Sequence, residues 1–272
     1  MSPLSSTDAY RAILLFWSIG TVIGTLELLA SRGDFAPTGL FSWELTRLRI
    51  SRRVPAWRRR FLDALFARGV TGLLVVRLGL VVLLVTTPVG GVVHDATLAA
   101  LVVTTLLLSW RREWGSDGSD QMLVIVLVTM FVGFGPFSDR FLEVAALAFL
   151  CAQACLAYGV AGAAKLLSRS WRSGSALALI LDTSTYGHPR SAALLRRHTG
   201  LGRVLTWSVV AAELAFGVGL VLVLPAPWAW VLLAWGLAFH VSTAVLMGLN
   251  TFVWAFLATY PALIYLHGLV WT

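Results

Sequence analysis

Residues 141 to 167 read FLEVAALAFLCAQACLAYGVAGAAKLL, an apolar stretch that ends on Lys165 and two leucines. A helix rises about 1.5 Å per residue and the hydrocarbon core of a bilayer is about 30 Å thick, so roughly 17 to 25 apolar residues cross it. The stretch meets this requirement and therefore predicts a membrane-spanning helix.

The composition of the whole chain agrees with this interpretation. Hydrophobic residues make up 58% of the 272 residues, charged residues make up 12%, and the mean hydropathy is +0.82. Ordinary soluble domains have about 25% charged residues. The apolar runs are continuous and do not alternate with polar residues, which is typical of helices and not of transmembrane strands. We predict an all-α, polytopic integral membrane helical bundle that forms a single domain.

Eight stretches are long and apolar enough to be spans. They lie near residues 12–30, 70–88, 93–109, 121–138, 141–166, 203–224, 228–247 and 250–271. The two long connections, 41–68 and 170–200, combine aromatic and basic residues. This mixture predicts amphipathic helices that lie at the membrane surface.

Basic residues are distributed unevenly among the connections. With eight spans and both termini outside, eighteen Arg and Lys residues fall in inside connections, whereas only Arg11 and Arg140 fall outside. Cytoplasmic connections carry an excess of Arg and Lys. The distribution therefore predicts a multi-pass protein of the cell (inner) membrane with cytoplasmic basic loops.

A basic cluster runs from Arg52-Arg53 to Arg58-Arg59-Arg60, which is also a pattern of nucleic-acid binding. Trp57 and Phe61 interleave with these arginines, and such a mixture suits a helix on an anionic leaflet. The expected partner is therefore the lipid bilayer, and not nucleic acid.

Ionisable side chains within spans are expected to face a bundle interior or a cavity. Five of them come from five predicted spans and lie toward the same half of the bilayer: Glu27, Arg77, Lys165, Glu213 and His240. Together with Tyr158 and Asn250, they predict a polar cavity. The connection 170–200 is expected to form a lid over its mouth.

Lys165 is the only lysine beside twenty arginines. A guanidinium stays protonated at any biological pH, whereas a lysine amine partly stripped of water can act as a base. Simpler interpretations stay open. Arg77 and Glu213 could neutralise one another as a buried structural pair, Lys165 could reach the interface by snorkelling, and His240 could be a hydrogen-bonded core residue.

Cys151 and Cys155 lie four residues apart in the fifth predicted span. Neighbours on one helix face are poorly aimed for a disulfide, and apolar surroundings favour packing. No spacing of Cys and His resembles a metal site, and no phosphate loop or serine nucleophile elbow is found. We expect no metal cofactor.

Three motifs stand out. The first is Tyr158-Gly-Val-Ala-Gly-Ala-Ala-Lys165-Leu166, followed by Trp171 and Gly174, and the second is Phe239-His240 followed by Met247-Gly-Leu-Asn-Thr-Phe252. The third is the polar loop 114–121. These motifs resemble those of the vitamin K-dependent γ-carboxylase and the bacterial membrane domains related to it, the horizontally transferred transmembrane (HTTM) family.

The resemblance implies a quinone-dependent membrane enzyme with lyase- or oxygenase-like chemistry. In the carboxylase, the matching lysine deprotonates reduced vitamin K, dioxygen then attacks, and the strong base that forms removes a glutamate γ-proton before carboxylation with carbon dioxide. Carried onto this chain, the base is Lys165, and His240 is the second catalytic residue. The residues expected to bind substrate or cofactor are Tyr158, Arg77, Trp171, Glu213 and Asn250.

Two functions from different classes follow. One is an enzyme that uses a lipid-soluble quinol to modify a peptide or small molecule. The other is a non-catalytic membrane protein, such as an immunity, export or assembly factor, in which the same polar groups stabilise the bundle or line a passage.

Overall fold

The computed structural model describes residues 4–48, 55–112 and 116–271, apart from the side chain of Arg68. Within these ranges the chain is helical and contains no strand, which confirms the all-α class. Part of the basic cluster, Arg52 and Arg53, lies outside the described residues, as do Trp114 and Gly115 of the polar loop.

Fifteen α-helices follow one another along the described chain. They are α1 Ser6–Ala30, α2 Trp43–Arg47, α3 Ala56–Asp63, α4 Val70–Thr86, α5 Val92–Arg111, α6 Gly118–Phe134, α7 Arg140–Leu167, α8 Arg169–Ser173, α9 Ala176–Ile180, α10 Pro189–Arg197, α11 Thr199–Gly217, α12 Leu220–Val223, α13 Ala226–Met247, α14 Asn250–Leu257 and α15 Tyr260–Val270. A 3₁₀ turn at Arg32–Phe35 and a π-helical turn at Ala64–Arg68 complete the helical elements.

Five helical segments are long and apolar enough to cross a membrane: α1, α5, α7, α13 and the segment Asn250–Val270, which contains α14 and α15. A sixth is added if Ala56–Ala67 and Val70–Thr86, bent by 76° at their junction, are counted as one broken span. The predicted count of eight is therefore not confirmed.

The three other predicted spans are helical but fall short for physical reasons. Helices α4 and α6 have 17 residues each, which at about 1.5 Å per residue extend about 26 Å. Helix α11 carries Arg203 and Glu213 and ends at Gly217, and α12 begins after a left-handed Gly219 with φ of 69°. Helices α4 and α6 are therefore too short to be counted as spans, whereas α11 is excluded by its charged residues and by the break after it.

The two long connections contain short helices, whereas their predicted place at the membrane surface stays a prediction. Helices α2 and α3 lie in 41–68, α9 and α10 lie in 170–200, and α8 begins one residue before that range, at Arg169. On α10, apolar and basic residues separate onto two faces, with Ala192 and Leu195 buried and Arg196 exposed. A helix of this kind buries one side against its neighbours and leaves the other accessible.

Helix α7 contributes one face to the main core. Its buried positions recur every three or four residues, and they are Ala146, Leu147, Leu150, Cys151, Ala154, Tyr158 and Gly162. Both cysteines are free; Cys151 packs in the core and Cys155 is half-buried beside it. The face that carries Tyr158 and Gly162 continues one turn further to Lys165.

Glycines bring α7 and α11 close together. A Cβ on Gly217 would fall on the backbone of Gly159, and a Cβ on Gly162 would lie 3.0 Å from the backbone nitrogen of Leu214 and 3.1 Å from Cβ of Glu213. Small residues at such crossings allow two helix backbones to approach closely. The contact sets Glu213 against the last two turns of α7.

Helix α7 ends near the middle of α11, so the first part of α11 extends past it. From Thr199 to Glu213 the helix rises about 21 Å. The short helices fold against this extension, where the Oγ1 of Thr206 donates a hydrogen bond of 3.3 Å to the carbonyl of Gly174. Gly174 has φ of 79° and packs against Arg203, so a larger residue would be strained and crowded there.

Candidate functional site

A cavity of about 600 Å³ lies where the short helices meet α7, α11 and α13. Most lining side chains are apolar, among them Leu177, Leu246 and Phe252. Eight lining residues have polar side chains, namely Tyr158, Lys165, Ser191, Ser208, Glu213, His240, Ser242 and Thr243. The sequence predicted a polar cavity, and this prediction is wrong about the lining, which is mainly hydrophobic. Only a few polar side chains are part of it.

Lys165 and Glu213 form a partly buried ion pair, which we call the amine–carboxylate pair. The Nζ of Lys165 donates to both carboxylate oxygens of Glu213 at 2.7 Å each. The Glu213 side chain is 3% exposed and that of Lys165 is 20% exposed. The Lys165 Nζ also lies 5.1 Å from the ring centroid of Trp171 on α8, a cation–π contact.

This pairing replaces the predicted partnership of Arg77 with Glu213. Arg77 is buried on α4, does not line the cavity, and interacts electrostatically with Asp120 and Arg112. Glu213 is ion-paired, as the structural-pair interpretation required, but its partner is Lys165 and not Arg77. The neighbour of α11 along this face is α7, and the glycine contact determines which side chains meet.

Tyr158 and His240 form a second buried pair. The Tyr158 hydroxyl and the Nε2 of His240 are 2.7 Å apart, and the tautomer of the imidazole decides which of the two donates. Tyr158 stacks on Phe216 with ring centroids 4.5 Å apart, and His240 stacks on Phe256 at 4.4 Å. These aromatic contacts fix the orientation of both rings.

The Nδ1 of His240 is buried and has no hydrogen-bond partner in the described part of the chain. When Tyr158 donates to Nε2, the neutral imidazole carries its hydrogen on Nδ1 and can donate once more. A buried polar atom without a partner calls for an explanation, and a ligand bound in the adjacent cavity is one.

The connection 170–200 lines one side of the cavity, and its role as a lid stays a prediction. Trp171 comes from α8, Leu177 and Ile180 from α9, and Ser191 and Leu195 from α10. His188 has a structural role in this region, because its Nδ1 accepts a hydrogen bond from the backbone nitrogen of Ser191 at 3.3 Å and caps α10. His198 is exposed and does not line the cavity.

Two residues predicted to bind substrate lie elsewhere. Asn250, at the start of α14, does not line the cavity, and its Nδ2 donates to the Oε1 of Glu27 at 2.9 Å. Arg77 is the other. The structure thus brings together Tyr158, Lys165, Trp171, Glu213 and His240, and it separates Arg77, Asn250 and Glu27 from them.

Among the described residues, no group of three or more His, Cys, Asp or Glu side chains is placed to hold a metal ion. Comparison with protein-family models, with curated proteins and with solved structures gives no match. The relationship to the HTTM family stays a prediction that rests on the three motifs.

Proposed function

We propose that this chain is a membrane enzyme that takes up a reduced quinone, or a comparable lipid-soluble phenol, and removes a proton from its hydroxyl group. The observation that supports this function best is the amine–carboxylate pair, buried in the wall of a mainly apolar cavity. A hydrophobic molecule with a hydroxyl group at one end matches both parts of such a site, because the hydroxyl can contact the ion pair while the rest of the molecule contacts the apolar walls.

The dimensions and chemistry of the cavity fit a quinol ring. Ligand cavities for small molecules measure about 300 to 1,000 Å³ and combine apolar walls with a few placed polar groups. Here the walls offer contacts for the ring and the start of an apolar tail. Lys165 offers a charged contact for one oxygen, and the unused Nδ1 of His240 offers a hydrogen bond for another.

The amine–carboxylate pair can accept one proton by either of two routes. A proton shift from Lys165 to Glu213 gives a neutral amine and a carboxylic acid without changing the net charge, and the amine then takes the phenol proton. Alternatively, the carboxylate takes it directly. Both routes end with an ammonium, a protonated Glu213 and a phenolate, which the ammonium stabilises electrostatically.

The later chemistry is supported by the resemblance alone. Dioxygen would oxidise the quinol anion, and the base formed from it would allow a peptide or small molecule to be modified, with carbon dioxide as the added group in a carboxylation. Lys165 and His240 are the proposed catalytic residues, whereas Tyr158 holds His240 and Trp171 holds Lys165.

We expect the purified protein to bind a reduced naphthoquinone and to convert part of it into the monoanion. An ultraviolet difference spectrum under strict exclusion of air measures both binding and ionisation, since no oxidant is present. The control is the same quinol in protein-free detergent micelles. If the protein does not change the quinol spectrum relative to this control, even at quinol concentrations that saturate the micelles, the proposed function is contradicted.

A scaffold function is the second candidate, and one observation favours it. The amine–carboxylate pair joins α7 to α11 beside the contact between Gly159 and Gly217, where a buried pair could serve only to fix the two helices. In that case, the protein would act through its surface as an immunity, export or assembly factor.

The proposed location is the cell membrane, with both termini outside and the basic connections in the cytoplasm. In a background with Cys151→Ala and Cys155→Ala, we expect Ser5→Cys to react with an impermeant maleimide in intact cells. Thr185→Cys, which is also exposed in the folded chain, should react only after permeabilisation. The reverse pattern would invert the orientation.

A further inference from the structure

A second buried cation lies outside the cavity described above. Arg111, the last residue of α5, is 1% exposed. Its Nε, Nη1 and Nη2 atoms are all buried, and none has a hydrogen-bond partner among the residues that the structure describes. A guanidinium keeps its charge at biological pH, and a buried charge without a partner is strongly unfavourable. Arg111 therefore requires a counter-charge that the described chain does not supply.

The contacts of Arg111 explain where it is held but not how its charge is balanced. Its guanidinium carbon lies 5.5 Å from the ring centroid of Phe35 and 5.7 Å from that of Trp43. Cation–π contacts of this kind use the face of the guanidinium and leave its N–H groups free. The nearby Asp63 is already engaged, since it accepts hydrogen bonds from Trp43 and Arg47.

Arg111 is one of the residues that line a cavity of about 480 Å³. The other lining residues are Leu40, Phe41, Ser42, Leu45, Thr46 and Leu48. The Oγ of Ser42 is buried and also lacks a partner in the described ranges, so a hydroxyl donor and a guanidinium are both unused in one space.

The mouth of this cavity is hydrophobic. Leu40, Leu45 and Leu48 are 70%, 63% and 82% exposed. Single exposed leucines need no explanation, but three beside a buried, unpaired cation describe an amphiphilic site. Such a site suits a molecule that carries an anionic head on an apolar body.

We infer that this cavity binds the phosphate group of an anionic phospholipid. The planar guanidinium of Arg111 donates to the phosphate oxygens, for which its fork of N–H groups is well matched, and Ser42 donates a further hydrogen bond. The acyl chains lie against the three exposed leucines. The inference goes beyond the proposed function and does not depend on quinol chemistry.

Native mass spectrometry of the detergent-purified protein tests this directly, with phosphatidylglycerol, phosphatidylcholine and inorganic phosphate as probes. We expect wild-type protein to bind phosphatidylglycerol at least about tenfold more tightly than phosphatidylcholine. Arg111→Gln should lose about tenfold or more of that affinity, because charge-assisted hydrogen bonds are lost. Arg60→Gln removes an exposed cation from the neighbouring α3 and should change the affinity little.

Equal binding of the two lipids by wild type, or unchanged binding by Arg111→Gln, would overturn the inference. A melting-temperature measurement separates lipid from free anion. If inorganic phosphate raises the melting temperature as much as phosphatidylglycerol does, the site binds a free anion and the lipid assignment is overturned.

Melting temperatures distinguish lipid binding by Arg111 from a purely structural role of this residue. Arg111→Met removes the uncompensated charge and keeps much of the side-chain volume. We expect it to melt no lower than wild type in lipid-free detergent and to lose the increase in melting temperature that phosphatidylglycerol gives wild type. An equal fall in melting temperature with and without the lipid would overturn the inference.

Discussion

Lys165→Arg is expected to slow formation of the quinol anion by about 100-fold or more, the range over which a positioned acid or base raises a reaction rate. The substitution keeps the positive charge and the ion pair with Glu213, but a guanidinium does not release a proton at biological pH, so the substituted side chain cannot act as a base. Binding of the reduced naphthoquinone should persist. The air-free difference spectrum separates these two effects, since neutral and ionised quinol absorb differently.

The reverse substitution, Arg172→Lys, is the matched control. Arg172 is exposed on α8, next to Trp171, and does not line the cavity, so its replacement should leave both binding and ionisation unchanged. If the Lys165→Arg protein still ionises the quinol, the carboxylate of Glu213 accepts the proton directly. Loss of ionisation in Glu213→Gln would then locate the base there.

Glu213→Ala is expected to destabilise the bundle by about 3 to 5 kcal/mol, since removing one partner of a buried pair leaves the other charge without compensation. The lower end of this range is the better expectation, because Lys165 is 20% exposed and keeps some contact with its surroundings. Unfolding in mixed micelles measures the free energy difference. Adding Lys165→Met should recover much of the loss, because the double variant contains no unpaired charge.

Arg77→Ala provides the comparison for this double-mutant cycle. Arg77 and Glu213 share no contact, so their effects on the free energy of unfolding should add. The opposite result would be additive effects of the Lys165 and Glu213 substitutions on the free energy of unfolding, with non-additive effects of the Glu213 and Arg77 substitutions. It would support the ion pair between Arg77 and Glu213 that the sequence suggested. A folded double variant that supports the biological function would favour the scaffold candidate, whereas a folded but inactive one would favour the enzyme.

The helical class and the positions of the helices could be read from the sequence because they depend on local hydrophobic runs. Each of the eight predicted spans coincides with helical structure, including α4 and α6, which are too short to count with the longer helices. Span number depends on small differences in length and on single charges. Arg203 and Glu213 in α11 show how two residues change that assignment.

The candidate site was predictable only in part. Lys165, Glu213 and His240 were identified by their rarity in apolar runs, and Tyr158 and Trp171 by the first motif. The partner of Glu213 could not be predicted from the estimated depths of the charged side chains in the bilayer, because depth does not determine which helices are neighbours.

The signal that could have identified the pair lies in the spacing along α7. Tyr158, Gly162 and Lys165 recur at intervals of four and three residues, which places them on one face of the helix. The glycine in the middle indicates a helix crossing at that position. The partner helix still had to come from the three-dimensional structure.

Because α7 ends early, the residues that stabilise the bundle are separate from those that close the cavity. In proteins with buried ligands, stability of the fold and easy entry of the ligand usually oppose each other. The bundle is held by long helices and by the glycine contact, whereas one side of the cavity is closed by three helices of five to nine residues. Displacement of these short helices would admit a bulky molecule without parting α7 from α11. Local rearrangements of this size occur on microsecond to millisecond timescales, much faster than unfolding. The residence time of a ligand can therefore change through α8 to α10 while the melting temperature of the bundle stays the same.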